Sequence, residues 1–259
     1  MSQPPLKPLS DKTWEDIRLV ASDMDGTLTR EEKFDSELFK TLSRLAAAGV
    51  DVLITTGRSA GWVQAIATYL PVVGAIAENG GLLYWQGSVV PQLMSEIDID
   101  EHRLQLSRVF ELLQSKFPQL KESQDNRFRL TDWTFDVEGL SQNQLEQIEY
   151  ICQSEGFGFT YSTIQCHIKS LHQDKAFGLS KVIPQYFSKL KIEEILTVGD
   201  SPNDESMFNQ EQFPVSVGVA NVLKYRDHLK YLPTYITSKY EGEGFCELAE
   251  LIINHRQNR

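Results

Sequence analysis

The chain has few cysteines, no long apolar run and fewer basic than acidic residues. Its three cysteines, Cys152, Cys166 and Cys246, lack the paired spacing of a zinc site or a disulfide framework. We therefore interpret all three as core residues. No apolar stretch approaches the roughly 20 residues that a membrane-spanning helix needs, and the polar start shows no signal-peptide pattern. These absences predict a cytoplasmic location and no membrane partner.

Basic residues are too few for a surface that binds nucleic acid or an anionic membrane. The chain has 25 Lys and Arg against 36 Asp and Glu, which gives a formal net charge of −11. Binding to a phosphate backbone requires clustered Lys and Arg, so this balance argues against both classes of partner. A small phosphorylated metabolite stays compatible, because it needs only a metal ion, one or two basic side chains and backbone N–H groups.

The first and last thirds of the chain alternate between strand and helix patterns. Ser36 is the expected N-cap of the first helix, and Gly49 is expected to end it. This βαβ alternation predicts a parallel sheet with helices packed on it. The predicted strands are residues 19–22, 51–55, 74–77, 194–198 and 215–219, and the predicted helices are residues 36–48, 61–69, 176–190, 204–209 and 244–255.

The middle of the chain has a different pattern, with several antiparallel strands and two helices. Such a pattern predicts a separate α+β unit inserted into the parallel-sheet domain. The predicted fold class is α/β, with a Rossmann-like, doubly wound parallel sheet as the core and an inserted α+β domain. The expected division is residues 1–85 and 172–259 for the core and 86–171 for the insertion. The elements of the middle region are a hairpin at 82–90, helices at 100–117 and 142–153, and strands at 127–137, 158–162 and 165–169.

Two carboxylates, Asp23 and Asp25, follow the first predicted strand two positions apart. Alternate side chains of an extended segment face the same way, and Gly26 lets the chain turn aside, so both acids can face one site. Because a carboxylate repels a phosphate dianion, a site that joins the two should hold a divalent cation. Oxygen ligands beside phosphate favour Mg²⁺. The alternative is an acidic turn that closes a strand.

Three other segments carry polar residues where predicted elements end or begin. Thr56 and Gly57 follow the second strand, where a hydroxyl can bind a phosphate oxygen or merely cap the next helix. Asp200 and Asp204 flank a loop after another strand, at the sheet edge where ligands bind in open parallel sheets, although solvated turn acids are the alternative. Lys175 could offset negative charge near the carboxylates, although an isolated lysine is usually solvated.

Taken in chain order, these segments resemble the four motifs of the haloacid dehalogenase (HAD) superfamily of aspartate-nucleophile phosphatases. The resemblance implies the subclass with an α/β cap between motifs two and three, which includes Cof-type sugar phosphatases, sucrose-phosphate and mannosyl-phosphoglycerate phosphatases and phosphomannomutases. The matching segments are Asp23-Met24-Asp25-Gly26-Thr27, Thr56-Gly57-Arg58, Lys175, Gly199-Asp200 with Asn203-Asp204, and further Glu78-Asn79-Gly80, Gly218-Val219-Ala220-Asn221 and Gly242-Glu243-Gly244.

The resemblance implies a role for each matched residue. Asp23 is expected to attack phosphorus and form an aspartyl-phosphate, while Asp25 protonates the leaving group and then activates water. The expected Mg²⁺ ligands are Asp23, Asp25 through its backbone carbonyl, and Asp200, with Asp204 as a further ligand or a hydrogen-bond partner of the ligands. The expected phosphate-binding residues are Met24, Thr56, Gly57, Lys175 and Asn203.

In this family the cap recognises the leaving group, as the resemblance implies. The apolar parity of the predicted strand at 127–137 changes near Thr131, which predicts a bulge or turn at Thr131 and Asp132. The other possibility for the polar strand residues is a solvated face of the cap sheet. The candidate substrate contacts, at alternating positions of predicted strands, are Arg127, Arg129, His167 and Lys169.

The leading hypothesis is a Mg²⁺-dependent phosphatase that hydrolyses a small phosphomonoester, a sugar or sugar-acid phosphate, through an aspartyl-phosphate. A phosphosugar mutase of the phosphomannomutase type is the nearest alternative. A non-catalytic protein that binds a phosphorylated ligand is the other. No pattern in the sequence identifies the leaving group.

Overall fold

The structure is a computed structural model that describes residues 5–257. None of the described helices is both long and apolar enough to cross a membrane. The strands are β1 (Lys7–Pro8), β2 (Leu19–Ser22), β3 (Asp51–Thr55), β4 (Gly74–Ala77), β5 (Leu82–Trp85), β6 (Gln92–Leu93), β7 (Asp132–Asp136), β8 (Phe157–Tyr161), β9 (Gln165–Ser170), β10 (Ile195–Gly199), β11 (Ser216–Gly218) and β12 (Tyr235–Ile236). The α-helices are α1 (Ser36–Ala47), α2 (Ala60–Tyr69), α3 (Ile99–Lys116), α4 (Gln142–Ser154), α5 (Lys175–Tyr186) and α6 (Glu241–Gln257). The 3₁₀ segments are Leu9–Asp11, Gln124–Phe128, Ile192–Glu194, Pro202–Phe208 and Ala220–His228.

The core of the molecule is a nine-stranded sheet in the order β1-β12-β11-β10-β2-β3-β4-β5-β6. The first seven strands of this order, which end with β4, are all parallel to their neighbours. The last two, β5 and β6, are antiparallel and form one edge of the sheet. Every residue of the central strands β2 and β10 is buried, as expected where helices cover both faces. The predicted doubly wound parallel sheet is confirmed.

Residues of each central strand alternate between two buried apolar clusters, one on each face of the sheet. Val20 and Val198 belong to the first cluster, which also receives side chains from α1, α2 and α6. Ala21 belongs to the second cluster, where Leu179 and Val182 of α5 pack. The period of two along the strands therefore explains why helices are needed on both sides.

Helix α1 shows where the local prediction succeeds and where it is wrong. Its N-cap is Asp35, whose carboxylate accepts the N–H of Leu38 at 2.9 Å. Ser36 is therefore not the N-cap, because a stronger acceptor directly before it takes that position. Gly49 follows the last turn with φ +70°, a conformation that glycine adopts without penalty, and the predicted helix end is confirmed.

A second, antiparallel sheet lies between the two core segments, in the order β7-β9-β8. Helices α3 and α4 share a buried cluster with it through Phe110, Ile148 and Ile168. This layer is the predicted α+β insertion, and we call it the cap. The domain limits at residues 86 and 171 stay a prediction. Strand β6, which follows residue 86 in the chain, pairs with β5 and so belongs to the large sheet.

The predicted strand at residues 127–137 is only partly formed. Residues Gln124–Phe128 form a 3₁₀ turn, and β7 begins at Asp132. Asn126 holds this turn, since its side chain bonds the N–H and the C=O of Thr134 at 2.8 and 2.7 Å. The prediction that Arg127 and Arg129 lie on a strand is therefore wrong, because a side-chain contact replaces the strand ladder.

Candidate active site

The carboxyl ends of the adjacent strands β10, β2 and β3 bring the main predicted site residues to one edge of the sheet. Asp200 follows β10, Asp23 follows β2 and Thr56 follows β3. The chain stays extended beyond β2, since the N–H of Asp23 donates to the carbonyl of Val198 at 2.9 Å. Three residues far apart in sequence thus become neighbours, at the position where open parallel sheets bind ligands.

Three buried carboxylates, Asp23, Asp200 and Asp204, form a compact cluster at this edge. One oxygen of each lies within 4.8 Å of the others. Gly26 permits this packing, because a Cβ there would lie 2.7 Å from Oδ2 of Asp200. Asp204 is held by its second oxygen, which accepts the N–H groups of Asp200 and Ser201 at 2.8 and 3.1 Å. The cluster offers only oxygen donors, the type that Mg²⁺ prefers.

Lys175 places a buried positive charge inside the cluster. It is the first residue of α5, and the N-cap Asp174 accepts the N–H of Phe177 at 2.7 Å. Its Nζ donates to Oδ1 of Asp23 at 2.5 Å and to Oδ1 of Asp204 at 2.6 Å. Burial opposes the charge, but these carboxylates raise the pKa of Lys175 above its usual value. The alternative of a solvated lysine is therefore excluded.

One ammonium does not balance three carboxylates. Burial and the nearby Asp204 raise the pKa of Asp23 to about 7, and burial and Asp23 raise the pKa of Asp200 well above its usual value. Oδ2 of Asp23 is buried and has no hydrogen-bond partner among the described residues. The cluster is thus short of positive charge, and one oxygen of Asp23 lacks a donor, which is the condition that a bound cation relieves.

Asp25 lies outside the carboxylate cluster and is paired with Arg58. Nε and Nη2 of Arg58 donate to the two oxygens of Asp25 at 2.9 and 2.6 Å. The guanidinium also lies 5.3 Å from the ring centroid of Trp62. This pair engages both carboxylate oxygens, whereas the predicted metal ligand of Asp25 is its backbone carbonyl. The sequence analysis assigns no role to Arg58. The available signal for a site residue is its position directly after Thr56-Gly57.

The predicted phosphate-binding residues surround the same edge. Oγ1 of Thr56 accepts the N–H of Arg58 at 3.1 Å, so its hydroxyl hydrogen can be donated to an anion. Nδ2 of Asn203 donates to Oδ1 of Asn79 at 3.1 Å. The side chain of Met24 is buried, so this residue can contact a ligand only through its backbone. Each of these roles stays a prediction.

The cap closes over this edge and leaves a cavity of about 20 Å³ between the two layers. Core and cap contribute to its walls in similar measure, so a leaving group bound here would touch both layers. The cavity is lined by Asp23, Asp25, Gly57, Arg58, Ser162, Ile164, Gln165, His167, Ser201 and Asn203.

Two of the four candidate cap residues belong to a hydrogen-bonded group that we call the cap network: the buried Arg129, Asp132 and His167 and the half-buried Asp125 and Gln165. Nη1 of Arg129 lies 3.0 Å from both oxygens of Asp132, and Nη2 donates to Asp125 and Gln165, each at 2.9 Å. Nδ1 of His167 lies 2.8 Å from Asp132. Burial lowers the pKa of His167, so the neutral ring donates from Nδ1 to this carboxylate.

The other two candidates differ in exposure. Arg127 is exposed and lies 4.7 Å from the ring centroid of Phe128. Lys169 is 5% exposed and lines a second, larger cleft between cap and core. Substrate contact by any of the four stays a prediction.

Glu78 connects the cap to the core in a way that the sequence reasoning missed. Its carboxylate accepts the N–H of Ala60 at 2.9 Å, the N–H of Leu130 at 3.0 Å, and the N–H and hydroxyl of Thr131 at 2.6 and 2.8 Å. Glu78 thus joins the start of α2 to the segment that leads into β7. Its place in the matched Glu78-Asn79-Gly80 segment was the available signal.

A model of the family described as haloacid dehalogenase-like hydrolase matches residues 20–120 and 110–246 of the chain. The phosphoglycolate phosphatase of Thermoplasma acidophilum is 28% identical over 238 residues, which cover 90% of this chain and 96% of that protein.

Solved structures agree with the sequence comparison. A crystal structure of a Thermoplasma acidophilum protein superimposes with a TM-score of 0.72 at 25% identity, over 91% of this chain and 99% of that chain. A sugar phosphatase of HAD subclass IIB superimposes with a TM-score of 0.65 at 14% identity, over 90% and 98% of the two chains, and this likeness concerns the fold alone.

Proposed function

The chain belongs to the haloacid dehalogenase-like hydrolase family and is a phosphatase of HAD type, and we propose that it hydrolyses a small phosphomonoester through an aspartyl-phosphate on Asp23 with Mg²⁺. The observation that carries the proposal is the environment of Asp23. This carboxylate is buried at the end of β2, bonds to Lys175 through one oxygen and has no described partner for the other. One oxygen is thus oriented, and the second remains for phosphorus or a metal.

The residues at this edge fit a magnesium ion. Asp23, Asp200 and Asp204 supply three buried carboxylates, and the Asp25 backbone carbonyl is the further predicted ligand. The unpartnered Oδ2 of Asp23 supports this fit, since a buried anionic oxygen without a donor is costly. When bound, the ion supplies positive charge that offsets the repulsion between carboxylates and phosphate.

In the first step, an oxygen of Asp23 forms a bond to phosphorus while the bond from phosphorus to the leaving oxygen breaks. Asp25 in its protonated form gives its proton to that leaving oxygen. In the second step, Asp25 takes a proton from water, whose oxygen attacks phosphorus and releases Asp23 with inorganic phosphate. In the free site Arg58 donates to both oxygens of Asp25, so this pair has to open before Asp25 can give a proton to the leaving oxygen. Lys175 orients Asp23 and offsets charge on the transferred group.

We infer that the substrate is a small sugar-acid or organic-acid phosphate. The names of two relatives support this class, because phosphoglycolate is the phosphate ester of an organic acid. The relatives named phosphoglycolate phosphatase make 2-phosphoglycolate the first compound to assay. The same assay separates hydrolysis from the mutase alternative, because only hydrolysis releases free phosphate.

The test is the Asp23→Asn variant, assayed for phosphate release with Mg²⁺. Loss of the nucleophile should lower turnover by about 10³-fold or more while the chain stays folded. Asp227→Asn, at an exposed position, is the control and should keep its rate. In parallel, Mg²⁺ should raise the melting temperature of the unchanged chain and have a much smaller effect on Asp200→Asn. An unchanged rate in Asp23→Asn, or full activity after chelation, would contradict the proposal.

A further inference from the structure

Lys169 is a buried cation without a partner. The residue is 5% exposed. No carboxylate among residues 5–257 lies within 4.0 Å of its ammonium, and that group makes no hydrogen bond within the described chain. Burial lowers the pKa of Lys169, although Asp174 at longer range opposes the shift. Burying an ammonium is costly unless something binds it, so its position calls for a ligand.

The position of Lys169 on β9 directs it away from the cap interior. Cys166 and Ile168 belong to the buried apolar cluster of the cap, so the alternate residues His167 and Lys169 lie on the opposite face of the strand. His167 lines the small cavity at Asp23, and Lys169 lines the larger cleft beside it. Gly158 on the neighbouring strand leaves room, because a Cβ there would lie 3.2 Å from the ammonium.

The larger cleft has a volume of about 370 Å³ and adjoins the proposed catalytic site. Asn203 lines both cavities, which makes them neighbouring parts of one cleft between cap and core. Asn79 also lines the larger part, and its Nδ2 is buried without a hydrogen-bond partner among the described residues. That amide lies beside Gly57, where a Cβ would be 3.2 Å from it, and so on the side of the small cavity. Lys169 is therefore the buried donor that remains for the larger cleft.

Acidic residues line this space too, and two of them already have partners. Oε1 of Glu149 accepts from the side-chain amide of Gln153 at 3.1 Å. Oδ1 of Asp174 accepts the N–H of Phe177 at 2.7 Å as the cap of α5. A third acid, Glu205, lines it as well, and none of these three carboxylates lies within 4.0 Å of the Lys169 ammonium.

We propose that Lys169 binds a carboxylate carried by the leaving group of the substrate. The inference rests on the proposed phosphatase function, since the phosphoryl group would lie at Asp23 and the leaving group would extend past Asn203 into the larger cleft. The substrate class is then a phosphomonoester of a hydroxy acid. A charge-assisted hydrogen bond inside a buried cleft provides both orientation and selectivity.

The test compares esters that differ only in the carboxylate: 2-phosphoglycolate with 2-hydroxyethyl phosphate, and 3-phosphoglycerate with glycerol 3-phosphate. The unchanged chain should have the higher kcat/KM for the acid of at least one pair. Lys169→Met should raise KM for that acid by about ten-fold to a hundred-fold and leave the neutral ester unaffected, because only the acid loses a charged hydrogen bond. Lys169→Arg should restore part of the preference.

Lys230→Met is the matched control, because Lys230 lines the same cleft but is exposed, and its effect should be small. A structural role for Lys169 would lower the melting temperature of Lys169→Met, whereas removal of an unpaired buried charge should leave it unchanged or raise it. Equal effects on acid and neutral esters, or none on either, would overturn the inference. If the unchanged chain hydrolyses no ester with Mg²⁺, the proposed function fails, and the inference fails with it.

Discussion

Two groups of buried charged residues face each other across the cleft, and they are balanced in opposite ways. In the core, the single ammonium of Lys175 contacts two of the three clustered carboxylates, and one oxygen of Asp23 has no described partner. In the cap network, Arg129 contacts two carboxylates and a side-chain amide, and Asp132 also binds His167. Burial raises the pKa of Asp23 to about 7, whereas Arg129 overcomes burial and lowers the pKa of Asp132.

This difference separates a group that has an unsatisfied oxygen from one whose charges are paired, although Gln165 and His167 of the cap network also line the cavity at Asp23. A buried polar group that is fully hydrogen-bonded stabilises one arrangement, whereas an unsatisfied one indicates a missing ligand or ion. The cap network also reaches the core, because Nη1 of Arg129 donates to the carbonyl of Gly57 at 2.9 Å. We therefore expect substitutions in the core cluster to affect turnover first, and substitutions in the cap network to affect stability first.

The largest effect is expected for Lys175→Met in the core cluster. Removal of the ammonium that bonds Asp23 should lower kcat/KM by about 10³-fold, similar to the loss of an electrostatic stabiliser of the transition state. Lys181→Met, an exposed position on the same helix α5, is the control in the phosphate-release assay. Equal rates in the two variants would remove the distinction between the core cluster and the cap network.

A smaller effect, on stability, is expected for Arg129→Met in the cap network. The change leaves the carboxylates of Asp125 and Asp132 without their cation, and breaking a buried pair from one side costs about 3 kcal/mol. Urea unfolding should show this loss, whereas the exposed Arg127→Met, two residues away, should unfold like the unchanged chain. If Arg129→Met kept its stability and lost only activity, the network would be part of the binding site.

The smallest effect is a pH dependence that involves His167. Its folded-state pKa is lowered by burial from the ordinary 6.5, so the unfolded chain binds the proton more readily. The stability that the neutral ring contributes is thus present above pH 6.5 and is lost as the pH falls through the folded pKa. The free energy of unfolding should fall by at most about 1.4 kcal/mol per pH unit in that window.

Unfolding curves at about pH 7.5 and about pH 5.5 bracket the titration of histidine and measure the effect. Glu78 titrates with the opposite sign, because burial and the nearby Asp132 raise its pKa to about 7 and its contribution is lost as the pH rises. The difference between the unchanged chain and His167→Gln isolates the histidine. The exposed His172→Gln is the control. Identical pH dependence in His167→Gln and the unchanged chain would contradict the assignment.

Much of the fold and of the core site could be predicted, because the signals are local. Asp23 and Asp200 each follow a buried apolar run, and the carboxyl ends of parallel strands meet at one edge. The wrong N-cap prediction for α1 also has a local cause, since Asp35 competes with Ser36 for the same N–H groups. Arg127 and Arg129 could not be placed, because the turn before β7 depends on a side-chain contact between Asn126 and Thr134.

The sequence by itself determined the parallel core, the inserted cap and the residues at the carboxyl edge of the sheet, since these depend on periodicity and on neighbours along the chain. The tertiary structure alone decided which charges are paired. Arg58 meets Asp25 across 33 positions, and Lys175 meets Asp23 across 152. Electrostatic energy depends on distance in space and on burial, and a pattern along the chain contains neither. For the same reason, only the fold distinguishes the paired Arg129 from the unpaired Lys169.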